Sequence, residues 1–106
     1  MNVDEIFSRL PAALDSRAAA GVDATIQFNN SKQRFAVIRD GELTVSDGET
    51  TPYTVAITMS DDDLVDMLTG KLDGMTAFMT GKLKLDGDLM FAQKITSLFD
   101  GARLRG

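Results

Sequence analysis

The groups that could do chemistry in this chain are carboxylates, amines and hydroxyls, because its 106 residues include no His and no Cys. Without an imidazole base, the usual Ser-His or Cys-His nucleophile cannot be assembled. Without a thiolate, disulfides and thiolate metal sites are excluded as well. The composition therefore argues against an enzyme, and we predict no catalytic residue, no metal site and no cofactor.

A run of aspartates is the densest group of candidate metal ligands. Asp61, Asp62 and Asp63 follow Ser60 directly, and Asp66 comes three residues later. Calcium loops need alternating oxygen ligands around a glycine, which this run lacks. Ser60 and Asp63 instead have the spacing of a capping box, and acids in a first turn complement the helix dipole. The run therefore predicts a helix start rather than a cation site.

The pair Gly81-Lys82 is similar to the end of a phosphate-binding loop. Gly74 lies too far upstream for that motif, however, and Leu83 stands where Ser or Thr is required. We interpret the pair as a helix end followed by a strand. Hydrolysis by paired carboxylates stays open by composition, but no spacing of the acids indicates it.

Methionine is concentrated in the second half of the chain, where three phenylalanines accompany it. The group comprises Met59, Met67, Met75, Met79, Met90, Phe78, Phe91 and Phe99. Methionine fills irregular cores, and its flexible, polarisable side chain also suits surfaces that repack around varied apolar ligands. Ligand pockets are typically lined by such residues with few polar groups. Composition alone favours a core, with a pocket as the alternative.

The elements that must position these residues follow from the apolar periodicity. Helical spacing from Val3 to Leu14 predicts an N-terminal helix, with a kink or break at Pro11. Ser16 is a candidate cap for a second helical piece over 17–20, which Gly21 would end.

Period-two alternation then predicts four strands. They cover residues 24–28, 35–38, 43–45 and 53–59. In the second strand Phe35 and Val37 share one face, and the intervening residues share the other. Asp40-Gly41 is a strong hairpin signal, because glycine accepts the positive φ of a tight turn. Four consecutive strands joined by short turns predict an antiparallel meander.

Short helices and one more strand complete the predicted fold. One helix runs from Ser60 to about Thr69, and a second ends at Gly81. The segment 82–86 is a strand with its leucines facing inward, and Asp88 caps a continuous final helix. We predict an α+β fold in which helices cover one face of a mostly antiparallel sheet, with residues 1–106 forming a single domain.

Net charge limits the expected partners. The formal charge is −5 and the isoelectric point is near 4.5, which disfavours nucleic acid. The N-terminal segment lacks a secretion signal and no window is apolar enough for a membrane helix, so we expect a soluble cytoplasmic protein with at most transient membrane contact. The basic residues of the second half are Lys71, Lys82, Lys84, Lys94, Arg103 and Arg105.

The order of residues from Ile57 onward resembles a known family. The matching blocks are Ile57-Thr58-Met59-Ser60, Asp63-Leu64, Leu68-Thr69-Gly70-Lys71-Leu72, the run from Ala77 to Leu85, Gly87-Asp88, Ala92-Gln93-Lys94-Ile95 and Leu98-Phe99. They resemble the sterol carrier protein type-two lipid-transfer domain. Upstream, the run from Gly21 to Phe28 and the Asp40-Gly41-Glu42-Leu43 turn fit its stand-alone prokaryotic members.

This resemblance implies a five-stranded sheet, helices covering one face and an apolar tunnel between them. It implies that the chain binds and carries a fatty acid, fatty acyl-CoA or sterol-like lipid without chemistry. The expected lining is Phe28, Phe35, Met59, Leu68, Met75, Phe78, Met79, Leu85, Ile95 and Phe99. The alternative is an accessory module with a filled cavity, whose partner is a lipid-related enzyme or a second copy of the chain.

Overall fold

Among the described residues, alternating apolar side chains form five strands that pair into one sheet. They are β1 (Ala24–Asn29), β2 (Gln33–Arg39), β3 (Glu42–Asp47), β4 (Val55–Thr58) and β5 (Lys84–Gly87). The computed structural model describes residues 2–105. The strand order is β3-β2-β1-β4-β5, and every neighbouring pair is antiparallel except β1 with β4, which is parallel. The α+β class and the mostly antiparallel sheet are confirmed, whereas the four-strand meander is wrong at β4.

The position of β4 depends on the loop that follows β3. The Gln27 side chain donates from Nε2 to the carbonyl oxygens of Arg34 and Gly48, at 3.2 Å each. Its Oε1 accepts from the Thr50 amide at 2.8 Å. These bonds hold the loop against β1. The strand that follows the loop, β4, therefore joins the sheet beside β1 rather than beside β3. Because the contacts are non-local, the alternation pattern did not reveal them.

The hairpin between β2 and β3 agrees with its sequence signal. Asp40 and Gly41 have φ values of 55° and 76°. Two consecutive positive φ angles match the right-handed twist of the flanking strands, and they keep Arg39 opposite Glu42. The predicted tight turn is therefore confirmed.

In the part of the chain that the structure describes, five α-helices and one 3₁₀ turn accompany the sheet. They are α1 (Val3–Ala13), α2 (Asp61–Leu68), α3 (Gly74–Met79), α4 (Leu89–Ala92), the 3₁₀ turn Ile95–Leu98 and α5 (Gly101–Arg105). The predicted cap of α2 is confirmed, since the Asp63 amide donates to Ser60 Oγ at 3.1 Å. Among the residues that the structure describes, no helix has the length and apolar character to cross a membrane.

The N-terminal helix departs from expectation near its end. Pro11 lies inside α1, which continues to Ala13. The second helical piece over 17–20 is wrong: these residues form a turn, and Asp15 rather than Ser16 accepts the Arg17 amide, at 2.9 Å. The Ala19 amide donates to Asp15 O at 2.9 Å, and Gly21 then adopts a φ of 76°, so the segment ends after one turn.

The continuous final helix is also wrong, because tertiary pairing interrupts it. Phe99 is extended and forms an isolated antiparallel bridge with Leu14. On either side, the Asp15 amide donates to Leu98 O at 2.7 Å and the Asp100 amide donates to Ala13 O at 2.8 Å. These bonds satisfy the end of α1 and divide the C-terminal segment into α4, the 3₁₀ turn and α5.

The main core lies between α1 and the sheet. Ile6 and Leu10 are fully buried on one face of α1. Phe7 packs edge-on against Phe28 of β1, with ring centroids 5.1 Å apart. The Arg34 guanidinium lies over the Phe7 ring, 4.5 Å from its centroid. The helix-covered face of β1 is therefore the face of Ile26 and Phe28. The residues of β2 and β4 that pair with these two lie on the same face.

Candidate functional site

An apolar cavity of about 400 Å³ lies between one edge of the sheet and the short helices. Ile57 of β4 and Leu85 of β5 are register partners and form its floor. Its apolar wall is completed by Met67, Met75, Phe78, Leu83, Leu89, Ala92 and Ile95. The volume lies at the lower end of the range of about 300–1,000 Å³ that small-molecule sites occupy.

Local capping bonds position the helices that form the roof. Asp73 caps α3 by accepting from both the amide and the hydroxyl of Thr76, at 3.1 Å each. Asp88 caps α4 by accepting the Phe91 amide at 2.9 Å. A short polar side chain before a helix satisfies amides that have no partner within the helix. Each roof helix therefore begins at a fixed residue although it has only four to six residues.

The strand below the roof is fixed by two close backbone approaches. The amides of Lys82 and Leu83 both donate to Ala77 O, at 2.9 and 3.1 Å, which joins the end of α3 to the start of β5. At the other end of β5, Gly87 has a φ of 110°, and a Cβ there would lie 2.5 Å from Thr54 O. Only glycine fits this position, where the end of β5 meets the segment before β4.

Few polar groups line the cavity. Asp73 carries the only charge among its lining residues within the described chain, and Gln93 and Thr96 add neutral polar side chains. Both bonds of the Asp73 carboxylate to Thr76 use Oδ2. An apolar body with a small number of polar groups is the pattern of sites that desolvate a hydrocarbon and orient one polar end.

The roof of the cavity is thin. Met75, Phe78 and Leu89 line the cavity, yet 57%, 47% and 50% of their surfaces are exposed. On the inner side, only 2% of the surface of Ile57 and 1% of that of Ile95 are exposed. The cavity therefore reaches solvent between α3 and α4.

The structure brings four of the ten expected lining residues into the cavity. They are Met75, Phe78, Leu85 and Ile95. The other six lie elsewhere. Phe28, Met59, Leu68 and Phe99 are buried in the hydrophobic core, and Met79 is 77% exposed on the outer side of α3. Phe35 pairs with Gln27 and lies on the opposite face of the sheet, because its buried neighbours Ala36 and Ile38 take the helix-covered face.

Five apolar lining residues were missed by the sequence reasoning. They are Ile57, Met67, Leu83, Leu89 and Ala92. Ile57 and Leu83 carried a usable signal, since each lies on the inward face of its predicted strand segment. Leu89 and Ala92 could not be assigned, because a continuous final helix would have placed other residues inward.

Among the described residues, the two groups with displaced pKa values lie away from the cavity. Tyr53 donates its phenolic hydrogen to the Asp86 carboxylate, and this bond raises the pKa of the tyrosine. The Ser31 hydroxyl and amide both donate to Asp61, which lowers the pKa of that carboxyl. Within residues 2–105, no group of three or more acidic residues is placed to hold a metal ion.

The fold and the cavity define an α+β protein with an apolar, ligand-sized chamber beneath short helices. Residues 3–100 match the model of the SCP-2 sterol transfer family, and the chain belongs to that family. The resemblance found in the sequence is thereby confirmed. The tunnel that the resemblance implied stays a prediction.

Two curated relatives are large proteins. The chain is 45% identical over 64 residues to peroxisomal multifunctional enzyme A from Dictyostelium discoideum, covering 60% of this chain and 14% of that protein. It is 30% identical over 101 residues to hydroxysteroid dehydrogenase-like protein 2 from Xenopus tropicalis, covering 91% and 24%. The chain therefore spans no more than 24% of these relatives' length.

Solved structures have the same fold. A sec-alkylsulfatase from Pseudomonas sp. superposes with a TM-score of 0.80 at 28% identity, covering 86% of this chain and 15% of that one. Sterol carrier protein 2 from Yarrowia lipolytica, in its apo form, gives 0.68 at 26% identity, covering 95% and 88%. Palmitated SCP2L2 from Aedes aegypti gives 0.69 at 23% identity, covering 92% and 93%, a likeness of fold.

Proposed function

We propose that this chain binds a long apolar lipid in the cavity beneath α3 and α4 and carries it without chemical change. The observation that carries the proposal is the cavity itself, about 400 Å³ in volume and walled mainly by apolar side chains. Burial of each methylene of an alkyl chain in such surroundings contributes about 0.8 kcal/mol. The candidate ligands are a fatty acid, a fatty acyl-CoA or a sterol-like molecule.

The polar wall favours one orientation of the ligand. Gln93 and Thr96 offer hydrogen-bonding groups at one side of the cavity, whereas Ile57 and Leu85 offer none in their side chains. We therefore place the hydrocarbon chain against β4 and β5 and its polar end toward α4 and the 3₁₀ turn. The family membership and the palmitate carried by a protein of the same fold support this ligand class.

The test combines native mass spectrometry with displacement of a fluorescent fatty acid by palmitate. Freshly purified protein should carry a co-purifying mass, and palmitate should displace the probe saturably. Leu85→Gln should weaken displacement because it places an amide in the cavity floor. Val37→Gln is the matched control, since Val37 is a half-buried strand residue that lies on the other face of the sheet. A lipid-free spectrum together with absent saturable binding would reject the proposal.

A second candidate function is that of an accessory module in a larger enzyme. The observation that favours it is the small share of each curated relative that this chain spans, together with the alkylsulfatase in which the same fold makes up 15% of the chain. The predicted partner is then a lipid-related enzyme or a second copy of the chain. Sedimentation velocity of the purified protein tests the second copy, and a monomer at all concentrations rejects it. The cytoplasmic location stays a prediction.

A further inference from the structure

The large exposed hydrophobic side chains of this protein are gathered on two neighbouring helices. Among the described residues they are Met75, Phe78 and Met79 of α3 and Leu89 and Met90 of α4. Met79 and Met90 are the most exposed, at 77% and 71%. We call these five residues the apolar face. Contiguous apolar surface of this kind marks a place where a protein meets another apolar body.

The apolar face is continuous with the cavity. Met75, Phe78 and Leu89 belong to both, because they line the cavity from within and are exposed from without. Met79 and Met90 lie only on the outer side. An alkyl chain that leaves the cavity between α3 and α4 therefore passes directly onto apolar side chains rather than into water.

Charge is distributed unevenly along the chain. Residues 71–105 contain six basic and four acidic side chains, whereas residues 2–70 contain five basic and twelve acidic ones. The segment that carries the apolar face is thus net +2 and the rest is net −7. The apolar face therefore lies in the part of the sequence whose net charge is positive, although the whole chain has a net charge of −5.

Exposed lysines adjoin the apolar face, and the nearby acids, which keep their charge, accept hydrogen bonds within the fold. Lys82 follows α3 and Lys94 follows α4, both are exposed, and within residues 2–105 no ion pair involves either of them. By contrast, Asp73 and Asp88 cap α3 and α4, and Asp86 accepts from Tyr53.

We propose that the apolar face docks onto an anionic phospholipid bilayer. Met79 and Met90 enter the boundary between headgroups and acyl chains, while Lys82 and Lys94 meet lipid phosphates. Basic side chains flanking an exposed apolar stripe are the arrangement of interfacial helices, and each basic residue near an anionic surface adds to binding. Docking of this kind extends the proposed function, because it places the cavity opening against the source of the cargo.

The charge pattern favours a bilayer over a second copy of this chain. In a twofold pair built on the apolar face, each copy would present the same patch, and Lys82 and Lys94 of both copies would be brought together. An anionic surface complements those charges instead. Docking through these charges weakens as salt screens them.

The experiment is co-sedimentation of the full chain with vesicles of phosphatidylcholine mixed with phosphatidylglycerol. The wild type should bind at low salt and should lose about tenfold or more of its partition in 1 M salt, where the screening length falls to about 3 Å. The double variant Met79→Gln/Met90→Gln should reduce partition about tenfold. Neither side chain lines the cavity, so displacement of the fatty acid probe by palmitate should be unchanged in this variant.

A pair of charge variants separates local attraction from net charge. Lys82→Glu/Lys94→Glu should abolish partition, whereas Arg17→Glu/Lys32→Glu, which has the same total charge, should change it less than threefold. Thermal unfolding checks that each variant is folded. We expect all of them to fold, because all six substituted residues are exposed. Three results would overturn the proposal: no binding by the folded wild type, equal losses in both charge pairs, or self-association in vesicle-free buffer that the methionine substitutions remove.

Discussion

Filling the cavity with a protein side chain should exclude the ligand while leaving the fold intact. Ala92 lies in the cavity wall on α4 and is half-buried, so a larger side chain at this position extends into the open volume. Ala92→Phe adds six ring carbons at the place where we position the ligand. A phenyl group should displace three or four chain methylenes, which at about 0.8 kcal/mol each amounts to about 3 kcal/mol.

That loss corresponds to a rise in Kd of roughly two orders of magnitude for palmitate. The assay is displacement of a fluorescent fatty acid, with thermal unfolding measured on the same samples. The melting temperature should stay the same or rise, since the ring fills a void and buries apolar area. Ala12→Phe is the matched control, because Ala12 is an exposed helical alanine on α1 that does not line the cavity.

Two results would refute this reasoning. A palmitate Kd for Ala92→Phe within threefold of the wild type would mean that the ligand does not occupy this cavity. Equal weakening in Ala12→Phe would mean that the effect comes from general loss of structure. A chain-length series gives a further check, since each methylene removed from the ligand should weaken wild-type binding about fourfold.

Three further substitutions test the fold that positions the cavity. Gly87→Ala should destabilise the protein by about 2 kcal/mol or more in urea unfolding, because the new Cβ would meet Thr54 O at 2.5 Å in a positive-φ position. Phe28→Ala should cost about 3–5 kcal/mol in the same measurement, because it empties a fully buried core position. Ser31→Ala should raise the pKa of Asp61, measured by carboxyl NMR titration, and should cost roughly 0.5–1 kcal/mol at neutral pH.

The last of these effects has a definite pH dependence. Hydrogen bonding lowers the pKa of Asp61 in the folded state, so its contribution to stability is complete above the unfolded pKa and is lost as pH falls through the folded value. The difference between wild type and Ser31→Ala should therefore shrink below about pH 4. A constant difference down to pH 2 would contradict this explanation. Wild-type stability in Gly87→Ala, or a loss under 1 kcal/mol in Phe28→Ala, would contradict the predictions made for those two variants.

The parts of the fold that were predictable from sequence are the ones with local causes. The Ser60 cap, the Asp88 cap and the Asp40-Gly41 turn each depend on residues within four positions of one another, and each occurs as expected. The β4 pairing depends instead on bonds from Gln27 to a loop more than twenty residues away. No periodicity within a strand contains that information.

The cavity was harder to predict because it depends on strand register and on the choice of sheet face. Alternation in β2 shows that Phe35 and Val37 share a face, but it does not show that α1 covers the other one. Ile57 enters the cavity because it lies opposite Leu85, a pairing between strands that are distant in sequence. The four lining residues that were anticipated lie on elements whose inward faces were assigned correctly.

The central claim is that an alkyl chain lies against β4 and β5 beneath α3 and α4. Intermolecular NOEs between uniformly labelled palmitate and the methyl groups of the protein test it most directly. We predict NOEs from the chain methylenes to Ile57, Leu85 and Ile95, which line the cavity. Val37, on the other face of the sheet, should show none. Saturating palmitate with NOEs only to methyl groups outside the cavity would contradict the claim.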